Sequence, residues 1–299
     1  MLVTMKEILD RASTENYGVA APNVYSELDA RAYIEAAEEL NAPLIIDILA
    51  NTSRDMVQLG QIVGMLAAKS RVPVAINLDH GGPVCDVYAA IRGGFTSVMI
   101  DRSTLPFRQN AEEVKAVVEA AHAVGLSVEA ELGHVGDAGN YETDRAAALT
   151  VPADAVEFIA YTGVDCLAVS IGTAHGIYAN GQKPYLDFER LAEIKKAVGN
   201  FPLVLHGSSG TDDVSLSRAC AMGINKVNIF GELCQAASEA VQAADLSGNN
   251  AYQVYNIARD AGKEKLKEKI RLYGSAGKAW RAAAQGLTRS EVATGAPEA

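Results

Sequence analysis

Cysteine is scarce in this 299-residue chain, and the four present, Cys85, Cys166, Cys220 and Cys234, form no CxxC pair and no spacing typical of a ligand cluster. That argues against a disulfide framework or a cysteine-held metal, and free, buried thiols in a reducing compartment are expected instead. Long hydrophobic runs are also missing: nothing approaches the roughly eighteen apolar residues that cross a bilayer. The segment Met1 to Asp10 carries Lys6 and Glu7 and lacks an apolar stretch followed by a small-residue cleavage site, so a cytoplasmic protein is expected. Positive charge is in deficit, with 26 Lys and Arg against 37 Asp and Glu and a net charge of -11. A nucleic-acid partner would need a concentrated basic surface and is not expected. A small phosphorylated ligand remains compatible, because backbone amides and one or two cations can hold its anion locally.

What is present is apolar material in short pieces. Hydrophobic residues make up 49% of the chain and charged residues 21%, enough to bury a large core. Short β-rich runs alternate with amphipathic stretches about eight times. The strands predicted are Gly18 to Pro22, Leu44 to Leu49, Val74 to Leu78, Ser97 to Ile100, Ser127 to Leu132, Cys166 to Ser170, Leu203 to Leu205 and Lys226 to Ile229. Helical periodicity predicts, among others, Leu28 to Leu40, Met56 to Lys69, Ala111 to Val124, Asp154 to Tyr161, Phe188 to Val198 and Ser215 to Met222. Runs such as Leu44-Ile45-Ile46 are apolar without alternation, as parallel strands covered on both faces require. An open doubly wound sheet would give the same alternation. The count of eight favours a (β/α)8, or TIM, barrel, a fold that commonly uses about 250 residues around one core.

The polar residues support the barrel. Strand three ends Asn77-Leu78-Asp79-His80-Gly81, strand six leads into Gly172-Thr173-Ala174-His175-Gly176, and strand seven ends Leu205-His206-Gly207-Ser208-Ser209-Gly210. Three of only five histidines thus stand at the carboxyl ends of strands, which in a barrel converge on one mouth. Three imidazoles with an open fourth position are a catalytic zinc arrangement, and His80, His175 and His206 are the predicted ligands. The following glycines are expected to let the backbone approach a ligand closely. Taken singly, each histidine reads equally well as a hydrogen-bonded loop residue. His122, inside a helix and away from any strand end, reads as structural.

These motifs, with Ser97-Val98-Met99-Ile100-Asp101, Val128-Glu129-Ala130-Glu131-Leu132-Gly133 and Lys226-Val227-Asn228-Ile229, resemble in register the class II, zinc-dependent ketose-bisphosphate aldolases from about Tyr17 to Lys278. Glu131-Leu132-Gly133-His134-Val135-Gly136 and Glu232-Leu233-Cys234-Gln235-Ala236-Ala237 are most similar to its sugar-acid phosphate aldolase branch. The resemblance implies an aldolase-type barrel over residues 1–280, with a helical extension at its carboxyl end; the tail at 281–299, rich in Ala and Gly, is expected to be poorly ordered. It implies a reversible aldol reaction of dihydroxyacetone phosphate with an aldehyde, the zinc replacing the Schiff-base lysine of the other aldolase class. It also implies one catalytic zinc per subunit, admits a monovalent cation, and points to a homo-oligomer, dimer or tetramer.

By the same resemblance Asp79 exchanges the proton of the aldehyde oxygen, although a carboxylate there could instead orient a histidine. Asp101 and Glu131 lie beside the metal as alternative ligands, or else orient a histidine or pair with Arg102. Asn23 and Asn228 hold substrate hydroxyl and carbonyl groups. The substrate phosphate rests on Gly176, Gly207 and Ser209 and on the amides at Phe230 and Gly231 that open a helix, with Lys183 adding charge or standing as a surface lysine. Two departures qualify this. Phe230-Gly231 replaces the family's small or acidic residue and phosphate-binding Thr. In the loop after strand five Gly139 occupies the position of the family's mobile glutamate, leaving Glu142 as the nearest substitute base.

Arg54 or Thr52, after strand two, is expected to help select the aldehyde half. The run Arg259 to Arg271 reads as an exposed or packing helix. Two other readings stay open: a barrel lyase or hydrolase using the same cage on an acid sugar phosphate, and a non-catalytic barrel supporting a partner aldolase.

Overall fold

The computed structural model describes residues 1–51, 55–136, 149–176 and 184–280. Thr52, Arg54, Glu142, Lys183 and the tail 281–299 lie outside these described residues. Eight parallel strands, β1 (Val19–Pro22), β2 (Leu44–Leu49), β3 (Val74–Gly81), β4 (Ser97–Ile100), β5 (Ser127–Leu132), β6 (Cys166–Val169), β7 (Leu203–Leu205) and β8 (Ile224–Ile229), form one sheet in the order β1-β8-β7-β6-β5-β4-β3-β2. Its two end strands meet through a bridge between Asn23 and Asp47, where the Val24 amide donates to the Asp47 carbonyl at 3.0 Å. The sheet is therefore a barrel, and the open doubly wound alternative is ruled out.

Around it lie α2 (Glu27–Glu39), α3 (Met56–Lys69), α4 (Val84–Arg92), α5 (Phe107–His122), α6 (Pro152–Thr162), α7 (Phe188–Val198), α8 (Asp213–Ala221) and α9 (Gly231–Ala243). Successive strand residues face opposite sides. In β5, Val128, Ala130 and Leu132 join the apolar layer beneath the helices, while Ser127, Glu129 and Glu131 face the interior. The carboxyl ends of the strands thus deliver Asp79, Glu131, His206 and Asn228 to one opening.

The other end of the barrel is plugged. Helix α1 (Met5–Glu15) begins at a capping box in which the Thr4 side chain accepts from the Glu7 amide and Glu7 accepts from the Thr4 amide. Its Met5, Ile8, Leu9 and Ala12 recur at one-turn spacing and pack into a second apolar cluster with Val19, Ile45, Ala75, Cys166, Ala168 and Val204. The run Arg259 to Arg271 lies within α10 (Val254–Leu272), and it is a packing helix: Leu266 and Ile270 are fully buried, and Lys263 reaches Glu35 and Glu39 of α2 at 2.9 and 2.7 Å. All four cysteines are free, but only Cys166 and Cys220 are buried; Cys85 and Cys234 are exposed, contrary to the expectation of buried thiols. Among the described residues no helix is long and apolar enough to cross a membrane.

Candidate active site

Asp79 and His80 are consecutive, and a regular strand would send them to opposite faces. Strand β3 instead continues to Gly81, its register against β4 slips between Leu78 and Gly81, and His80 has a left-handed φ of 46°. This bulge turns both side chains toward the mouth. Gly81 is required by crowding: a Cβ there would stand 2.5 Å from the Met99 carbonyl oxygen. At Gly207, with φ 63°, a Cβ would stand 2.6 Å from the Ala174 carbonyl oxygen. The glycines after His80 and His206 therefore serve close approach of neighbouring backbone.

His80, His175, His206 and Glu131 each place one ligand atom within 4.8 Å of all the others. Four buried atoms, His80 Nε2, His175 Nε2, His206 Nδ1 and Glu131 Oε2, have no hydrogen-bond partner. Burying such atoms unsatisfied is costly, so a cluster of them facing one another fits a bound cation. The donor set, three imidazoles with a carboxylate beside them, suits a divalent cation such as zinc.

The opposite nitrogens are fixed. His80 Nδ1 donates to Asp101 Oδ2 at 2.9 Å, and Asp101 Oδ1 accepts from the Ser103 amide and hydroxyl at 3.0 and 2.8 Å. Both Asp101 oxygens are thus engaged, and it stands outside the four-group cluster as a hydrogen-bond partner of His80. His206 Nε2 donates to Glu129 Oε1 at 2.8 Å. Glu131 Oε1 accepts from the Val135 amide at 2.8 Å, which leaves Oε2 as its free atom.

Asp79 is buried, and its two oxygens accept from Asn23 Nδ2 at 2.8 Å and Asn228 Nδ2 at 3.0 Å. Both asparagines line the cavity, yet their amide donors are given to Asp79; Asn228 Oδ1 stays buried and unpartnered. Burial would raise the Asp79 carboxyl, but the charges of His80, His206 and Lys226 and the Asn23 bond outweigh it and bring it to about 2. For His80 burial works against protonation, and Asp79, Asp101 and Glu131 overcome it, giving about 10. Burial and the two neighbouring imidazoles both press His175 down, to about 4.

A cavity of about 870 Å³ opens over this cluster, and Gly176, Gly207, Ser209, Phe230 and Gly231 all line it. Helix α9 starts here with no side-chain cap at Phe230. Ser208 is not free, since its hydroxyl donates to the Asn228 carbonyl at 2.7 Å. Phe230 packs on Tyr25 with ring centroids 5.3 Å apart, adding an aromatic wall.

A family model described as fructose-bisphosphate aldolase class-II matches residues 3–278. The chain belongs to that family. A fructose-bisphosphate aldolase of Thermus caldophilus is 39% identical over 308 residues, covering 93% of this chain and all of that protein. Among solved structures, the YdjI aldolase of Escherichia coli K12 superposes with a TM-score of 0.82 at 35% identity, covering 94% of this chain and 100% of the other. A putative fructose-1,6-bisphosphate aldolase of Coccidioides immitis gives 0.81 at 26% identity, covering 92% and 97%. As a member of the class II family the protein is an aldolase, a carbon–carbon lyase.

Some residues at this site went unread in the sequence. Glu129 of β5, Lys226 of β8, Asp47 of β2, Asn77 of β3 and Ser97 of β4 are fully buried inside the barrel below the mouth. Lys226 Nζ lies 2.7 Å from Glu129 Oε2 and 3.3 Å from Asp47 Oδ2; Asn77 Nδ2 donates to Asp47 Oδ1 at 2.9 Å, and Ser97 Oγ donates to Asn77 Oδ1 at 2.7 Å. Each is a polar residue within a buried strand, and a polar residue so placed must find a partner. His134 was also unassigned. It sits on the rim, its Nδ1 2.9 Å from the Ser103 hydroxyl and 3.8 Å from Glu131 Oε1.

Proposed function

We propose that this chain is a zinc-dependent aldolase that reversibly cleaves a ketose phosphate or bisphosphate to dihydroxyacetone phosphate and an aldehyde. The observation carrying this reading is that His80, His175, His206 and Glu131 bring ligand atoms within 4.8 Å of one another at the mouth of the barrel, and that each of the four has a buried atom with no hydrogen-bond partner. His80, His175 and His206 would hold the ion, with Glu131 Oε2 beside them. A divalent cation bound there supplies Lewis-acid polarisation of a substrate carbonyl oxygen.

The chain's own groups do the rest. Asp79, ionised and clamped between Asn23 and Asn228, takes the proton of the substrate hydroxyl when the bond is cleaved and returns it on condensation. Asn228 Oδ1 is free to accept from a substrate hydroxyl. Gly176, Gly207, Ser209 and the uncapped amides at Phe230 and Gly231 form the phosphate seat, where a helix amino terminus favours an anion. Lys183 would add charge to that seat, and Glu142 is the candidate for the proton of the dihydroxyacetone half; both lie outside the described residues. Asp101 takes the role of orienting His80.

Purified alone, the protein is expected to release dihydroxyacetone phosphate from one or more ketose phosphates, to lose that activity in chelator and to regain it with zinc. Activity that survives metal stripping, or that arises only with a partner chain, would overturn the reading. A screen of aldehyde acceptors, with product stereochemistry, then identifies the substrate.

A further inference from the structure

Barrel interiors of this fold are filled mainly by branched apolar side chains. Here a lysine and two carboxylates are sealed inside instead, all fully buried. Such a group is weak evidence for stability, because well-packed apolar replacements commonly do as well or better. Its position suggests another use. Glu129 touches a candidate ligand through one oxygen and the lysine through the other: Oε1 accepts from His206 Nε2 at 2.8 Å and Oε2 from Lys226 Nζ at 2.7 Å.

The three histidines do not present the same atom. The unpartnered nitrogen is Nε2 on His80 and His175 but Nδ1 on His206. His206 therefore has to carry its proton on Nε2, and something must accept it there. Only an acceptor on both sides fits: Lys226 is purely a donor, so the group between it and His206 Nε2–H has to accept twice, which a carboxylate does and an amide does not.

We infer that Glu129 and Lys226 are positioning residues for metal binding: Lys226 pins one oxygen of Glu129 so that the other holds His206 with Nε2 protonated and Nδ1 turned to the cation. Asp47 of β2 lies against Lys226 on its other side and is itself held by Asn77 of β3. This rests on the zinc-site reading above and extends it to residues that touch neither metal nor substrate. A fixed partner behind a ligating histidine commonly governs metal affinity by about 10–100-fold.

The test is zinc affinity by competition with a chromophoric chelator, together with histidine-selective 15N NMR of the whole chain. In wild type, His206 should show Nε2 protonated and Nδ1 bare, both metal-free and zinc-loaded, with the resonance assigned by its loss in His206→Gln. Glu129→Gln should bind zinc about 10–100-fold more weakly, because the amide must turn its NH2 toward either Lys226 or His206. In the double variant Glu129→Gln/Lys226→Met the clash with the lysine is gone, and affinity should recover relative to Glu129→Gln alone. A residue that merely fills space would show no such recovery.

The inference is overturned if Glu129→Gln binds zinc as wild type does, if the double variant binds no more tightly than Glu129→Gln, or if wild-type His206 carries its proton on Nδ1. Should the variants fail to fold, the wild-type tautomer alone decides. Wild type that binds no zinc sinks the site reading itself; wild type that binds zinc while the variants are indifferent sinks only this inference.

Discussion

The two ends of the barrel interior are built from opposite materials. At the closed end Met5, Ile8 and Leu9 of α1 meet Val19, Ile45 and Val204, and contact and exclusion of water satisfy everything there. At the mouth three imidazoles and Glu131 hold ligand atoms with no partner, beside a buried Asp79. Uncompensated polar burial is unfavourable, so the mouth is held together against its own preference by the rest of the fold. The difference teaches that stability and chemistry are segregated along one axis, and substitutions at the two ends should separate them.

The largest effect is expected from Asp79→Asn. It removes the proton-exchanging carboxyl but none of the four clustered ligand atoms, so kcat should fall about 10²- to 10⁴-fold, the usual worth of a general acid–base group. Zinc content should stay near one ion per chain, and Tm should fall by less than in a closed-end truncation, the loss coming from the Asn amide turning its NH2 toward Asn23 or Asn228, both of which donate to Asp79. A fall in Tm matching that of a closed-end substitution would break the comparison.

The mirror experiment is Leu9→Ala. Leu9 is fully buried in the plug, and truncating such a side chain typically destabilises by about 2–5 kcal/mol. Urea denaturation should show that loss while kcat, assayed well below the unfolding transition, stays at the wild-type value. A drop in kcat in folded protein would mean that the plug transmits strain to the mouth.

How much of this was legible in the sequence follows the same axis. Strands β2, β4, β5 and β7 could be read with their observed limits: β2 and β7 are mainly apolar runs, and β4 and β5 are short β-rich runs that follow helix-stopping glycines. The histidines at the mouth were visible because strand ends of a barrel converge. His122 reads correctly as remote: its Nε2 pairs with Asp165 at 2.8 Å. The bulge in β3 was not legible, since the left-handed turn at His80 is imposed by pairing with β4, which no local pattern records. The partners Glu129 and Lys226 are far apart in sequence and become neighbours only when β5 and β8 close around the interior. Helix α1 is a different case. Its signals, Thr4 with Glu7 and the spacing of Met5, Ile8, Leu9 and Ala12, stand in the sequence, but what the helix covers is supplied only by the closed barrel.

The smallest expected effect concerns charge where α7 packs near the plug. Lys195 Nζ donates to the Ser13 hydroxyl at 3.1 Å and the Phe201 carbonyl at 2.9 Å, and burial lowers it from 10.5 to about 8. Below pH 8 the lysine is charged in both the folded and unfolded chain, and its burial is a constant cost. Between about pH 8 and 10.5 the unfolded chain still binds the proton that the folded one has released, so folding stability should rise with pH across that window. Lys195→Met abolishes the difference in proton binding. Denaturation curves of the two proteins, compared at pH 7.5 and pH 10, should show wild type gaining on the variant, by a modest amount because the ammonium is only partly buried and solvent screens it. Wild type losing ground over the same interval would mean that its two oxygen partners stabilise the charged form, and that this region near the plug, like the mouth, is organised around charge.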